Sequence, residues 1–159
     1  MQADDIAALS AEDIAEFGYG EHLLVFAWRR MDAQGADAAV MPEEFAQACG
    51  EDAGEVFNTF CAFLKALAFA GRRPLAVGEP GCLSITADEK MVLTLIAAAQ
   101  AEMPALLEAH LRWLAEPEKR HVLEIATGAL AAALEANGLA FTRPAADLPA
   151  GKECRIAVA

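Results

Sequence analysis

Residues 42–86 read PEEFAQACGEDAGEVFNTFCAFLKALAFAGRRPLAVGEPGCLSIT, and the fold turns on how this stretch divides. Pro42 suits the first position of a short helix, where its missing N–H is not needed. Phe45 and Ala48 give that helix one apolar side, and Gly50 ends it. A long helix restarts near Asp52 and carries Val56, Phe57, Phe60, Cys61, Phe63, Leu64 and Leu67. It is apolar nearly all round, which predicts a central, buried helix. Each large apolar side chain it buries is worth roughly 1.5–3 kcal/mol. Gly71 suits a left-handed terminator and is followed by Arg72, Arg73 and Pro74. Leu75–Val77 and Cys82–Ile85 then flank Gly78-Glu79-Pro80-Gly81, four turn residues in a row. Two short extended runs about a tight turn predict a β-hairpin. Thr86-Ala87-Asp88-Glu89 has the pattern of a capping box and opens the next helix.

Working outward, residues 3–17 place Ile6, Leu9, Ile14 and Phe17 at helical spacing. Glu21–Met31 is a second helix, with Arg29 and Arg30 in its last turn, where the helix dipole favours cations. They read as end-of-helix charges. After the capping box, a helix to about Glu102 carries Val92, Leu95, Ile96 and Ala99. Pro104 starts another, with Leu107, Leu111 and Leu114 on one face. Glu116-Pro117 breaks it and starts a last long helix, striped by Leu123, Ala126, Leu130, Ala133 and Leu134 and closed by Gly138. The tail holds a loop with Pro144, Pro149 and Gly151, and its end, Cys154–Ala159, reads as a short strand or as loose chain. The 159 residues form one mainly α domain on this reading.

Composition narrows the function classes. The chain is 56% hydrophobic, rich in Ala and Leu, with a formal net charge of −12. Ala and Leu lose little on entering a helix. The acidic excess keeps such a chain in solution and repels nucleic acid and anionic membranes at long range. The cysteines, Cys49, Cys61, Cys82 and Cys154, form no Cys-x-x-Cys pair, which fits a reduced, cytoplasmic protein. MQADDIAALS lacks the basic and apolar regions of a signal peptide. The longest uninterrupted apolar runs fall well short of the ~20 residues of a membrane span.

Order and residues together resemble the MarR-like winged helix-turn-helix proteins. Ala46, Gly50 and Val56 stand at the spacing of the small residue, turn glycine and apolar lock of a helix-turn-helix. Leu83-Ser84-Ile85-Thr86-Ala87-Asp88-Glu89 looks like that family's junction from wing to helix. Leu114-Ala115-Glu116-Pro117-Glu118-Lys119-Arg120 looks like the break between its two C-terminal helices. The resemblance implies a winged helix-turn-helix core over 42–86 with a small β-hairpin, long N- and C-terminal helices, and a homodimer built through 3–17 and 104–137. A second likeness, in Gly71–Leu75, Gly81-Cys82 and Asp88-Glu89, is to a family of small bacterial proteins with no assigned activity.

The charges depart from the DNA-reading pattern. Phosphates call for cations and bases for polar side chains. The predicted recognition helix offers Asn58 and Thr59, with Arg72 and Arg73 nearby, but opens on Glu51, Asp52 and Glu55. The expected function is therefore a small regulatory or interaction protein with weak or no autonomous DNA binding. A ligand-responsive DNA-binding regulator is the alternative.

Catalytic and metal chemistry has thinner support. His110 and His121 flank the Glu116-Pro117 break, and Glu118 with His121 makes one Glu-x-x-His pair. Carboxylate-bridged metal sites use that spacing, but with more ligands. A metal-binding helical protein or enzyme using these residues is the second alternative. No nucleophile elbow, P-loop or dinucleotide fingerprint occurs, so neither an enzyme nor a cofactor is expected. Cys82 reads as a buried strand-end thiol rather than a reactive one. Trp28 and Trp113 read as core or interface anchors.

Overall fold

The computed structural model describes residues 17–34 and 40–141. Helix α1 spans Tyr19–Gln34, α2 Glu43–Cys49, α3 Ala53–Ala70, α4 Ala87–Gln100, α5 Pro104–Leu114 and α6 Arg120–Ala136. The expected segment 3–17 and the tail lie almost wholly outside the described residues.

The centre is α3, as its composition predicts. Its Val56, Phe57, Phe60, Phe63 and Leu67 are buried, and it packs mainly on α6, while α4 packs on α6 and α5. The α2–α3 corner depends on Gly50, which turns the chain at φ 57°, a conformation that side chains disfavour. Ala46 is not the small residue at this crossing, for it is exposed. Phe45 fills the corner instead, edge-on to Phe57 at 5.2 Å and stacked beside Phe60 at 6.1 Å. Aromatic pairs at such distances add to simple burial. Residues 43–70 have the length and apolarity of a membrane span, but these phenylalanines are spent on the core.

One connection differs from expectation in its physical cause. Gly71 is not left-handed; it is extended, with φ −61°. Its need for glycine is spatial, since a Cβ there would meet the Leu67 carbonyl at 2.9 Å. That closeness lets Gly71 form an antiparallel bridge with Ala115. Arg72 N–H donates to Leu114 O at 3.1 Å and Glu116 N–H to Ala70 O at 2.8 Å. The end of α3 is thus tied to the α5–α6 break, where Pro117–Lys119 makes a short 3₁₀ turn.

The β-hairpin, and with it the winged helix-turn-helix, is not formed. Among the described residues there is no strand, and 74–86 is an irregular loop. A hairpin needs its backbone groups paired across the turn. Here side chains from α1 and α4 take those groups.

Candidate functional site

The loop is held by three charged side chains. Thr86 caps α4 as the sequence predicts: its hydroxyl accepts from Glu89 N–H at 3.0 Å, and Glu89 Oε2 accepts from Thr86 N–H at 2.9 Å. The same carboxylate receives Arg29 as a two-pronged pair, Nε to Oε1 at 2.7 Å and Nη2 to Oε2 at 2.8 Å. Oε1 also accepts from Gly78 N–H at 2.7 Å. Arg29 gives its other donors to loop carbonyls: Cys82 O at 2.5 Å, Glu79 O at 3.5 Å and Ser84 O at 2.7 Å. The donors of the guanidinium and the lone pairs of the carboxylate are all in use, and the two side chains are 3% and 0% exposed. Glu89 therefore pushes the Arg29 pKa up by hydrogen bonding, against the opposite pull of burial. Arg29 is not an end-of-helix charge; α1 continues to Gln34.

Asp88 is the second clasp. It takes Arg73 through Nη1 at 2.8 Å and Nη2 at 2.6 Å, and Ala76 N–H at 2.7 Å. The Arg73 hydrogen bonds hold its carboxyl below the usual carboxylate range. Gly78 lies against the Arg29 guanidinium, where a Cβ would sit 2.7 Å from Nη2.

The residues singled out in the sequence fare unevenly. Arg73 is committed to Asp88. Arg72 donates through Nε to Arg112 O at 2.9 Å. Asn58 is exposed, and Thr59 donates to Glu55 O of its own helix at 2.9 Å. Glu51, Asp52 and Glu55 are exposed around the start of α3. The structure does not gather Asn58, Thr59, Arg72 and Arg73 into a cationic surface: they divide between the start of α3 and the loop after its end. His110 Nδ1 lies 3.0 Å from Leu106 O, while Glu118 and His121 are exposed. Among the described residues, no three His, Cys, Asp or Glu side chains converge as metal ligands would. Cys82 is exposed rather than a buried strand end, whereas burial pushes the Cys49 and Cys61 thiols up. Trp28 is in the core.

Trp113 marks a different place. Its side chain is 75% exposed on the outer face of α5. An open groove of about 620 Å³ runs beside it, lined by Arg72, Ala105, Glu108, Ala109 and Arg112. The α5 residues recur every three or four positions, so they form one stripe on the helix. Leu111 and Leu114 face the core from the other side. Phe69, also exposed at 57%, carries Lys119 over its ring at 4.8 Å. It belongs to the end of α3 that the backbone ties to this helix.

The sequence could have signalled Trp113 as the aromatic outside the leucine stripe of α5. It carried no local signal for Arg29 with Glu89, which lie 60 residues apart. The chain matches no protein-family model, and comparison with curated proteins and with solved structures finds none that is similar.

Proposed function

We propose that this chain is a small helical interaction protein that works by binding another macromolecule through the outer face of α5, not by catalysis. The observation that carries the reading is Trp113, three-quarters exposed in a groove framed by small and charged side chains. Tryptophan has the largest apolar surface of any side chain, and it is enriched where interfaces concentrate their binding energy. Regulation in a reducing cytoplasm fits the free thiols of Cys49, Cys61 and Cys82.

Autonomous DNA binding is weak or absent on this reading. Arg73 is neutralised by Asp88, and the exposed Glu51, Asp52 and Glu55 repel phosphates. The test is a photo-crosslinking amino acid at position 113, with a mobility shift alongside. Discrete covalent adducts in cells and no shift of random-sequence DNA at physiological salt are expected. A chain that forms no adduct yet shifts DNA tightly is instead a ligand-responsive DNA-binding regulator.

A further inference from the structure

We infer that the occupant of the α5 groove is a second copy of this chain, docked antiparallel about a two-fold axis near Ala109. This rests on the reading of Trp113 as a contact residue and names its partner.

A two-fold contact uses one patch twice, so the patch must complement itself. The α5 stripe does so in both shape and charge. Ala105 and Ala109 are exposed and small, so two helices can approach closely at their crossing. With the axis at Ala109, position 113 of one helix lies opposite position 105 of the other. Each exposed indole then covers the partner's Ala105. Glu108 and the partner's Arg112 fall two residues apart along the axis, about 3 Å at the helical rise, within reach of both long side chains. The relation holds in reverse, giving two reciprocal ion pairs.

Within one chain Arg112 already pairs with Glu108 at 2.9 Å, with the two side chains 65% and 59% exposed. An exposed pair of this kind binds weakly, so both groups are available to exchange partners. A face that carries both halves of an ion pair one turn apart, with Ala109 between them, Ala105 a turn before and one large aromatic at its end, suits a copy of itself.

The experiment is sedimentation equilibrium on the full chain and its variants, with circular dichroism as a check on folding. All the substituted side chains are exposed, so helicity should not change. Wild type is expected to dimerise. Arg112→Glu places four carboxylates across the axis and should weaken the dimer by about tenfold or more, since like charges at an interface are costly. Glu108→Arg should do the same. The double variant E108R/R112E restores opposite charges and should recover the dimer, while Trp113→Ala should weaken it.

A wild-type monomer at every concentration overturns the inference, as does a dimer indifferent to Arg112→Glu or a double variant no better than the single ones. If position 113 still crosslinks to a different protein, the contact reading survives and only the second copy is lost. If position 113 crosslinks to nothing, both fail.

Discussion

Replacing Arg29 with methionine tests the clasp most directly. The guanidinium leaves, and the Glu89 carboxylate, 0% exposed, keeps only the Gly78 and Thr86 N–H groups. The freed Glu79, Cys82 and Ser84 carbonyls are less costly, because Glu79 and Cys82 are exposed and Ser84 half-buried, so water replaces the lost donors. The dominant loss is the unpaired buried carboxylate, and breaking one side of such a pair costs about 3–5 kcal/mol. A domain holds only about 5–15 kcal/mol in total. Arg29→Met should therefore remove a large share of the stability. Urea unfolding followed by far-ultraviolet circular dichroism reads this as a fall in midpoint at unchanged slope. The double variant R29M/E89M removes the stranded charge as well. Its loss should be smaller than the sum of the single losses, with a coupling of about 1–3 kcal/mol. A loss below about 1 kcal/mol for Arg29→Met, within reach of an ordinary substitution, would refute the reasoning, as would strict additivity.

Other expectations follow from the same contacts. Gly78→Ala drives a methyl into the guanidinium at 2.7 Å and should cost about 1–3 kcal/mol by overcrowding, seen as a lower urea midpoint. Phe45→Ala empties the α2–α3 corner and should cost about 3–5 kcal/mol, read by thermal unfolding. The lowered pKa of Asp88 sets an acid limb. Its stabilisation is present above the ordinary carboxyl value of 3.8 and is lost as pH falls through the lower folded value. Urea midpoints measured across that range should fall more steeply for wild type than for Asp88→Asn.

Much of the architecture was legible because it is written in local periodicity. The stripes of α3, α4, α5 and α6, the turn at Gly50 and the cap at Thr86 each depend on residues within a few positions of one another. The loop after Arg73 was not legible in the same way. Gly78-Glu79-Pro80-Gly81 has the composition of a hairpin turn, and nothing in its neighbourhood reveals that Asp88, Glu89 and Arg29 will take its backbone groups. Arg29 sits where a helix-end charge would, and only its burial beside Glu89 shows otherwise.

By itself, the sequence determined a helical chain centred on the apolar helix from Ala53 to Ala70, because apolar spacing and capping act over one or two turns. Long-range contact alone makes Leu75–Ile85 a clasped loop, because Arg29, Asp88 and Glu89 reach its backbone groups from other parts of the chain. The outward placement of Trp113 was already implicit in the leucine stripe of α5. Arg29 and Glu89 occupy backbone groups that a ladder would have paired, and the leucines of α5 take the core face and leave the indole outside.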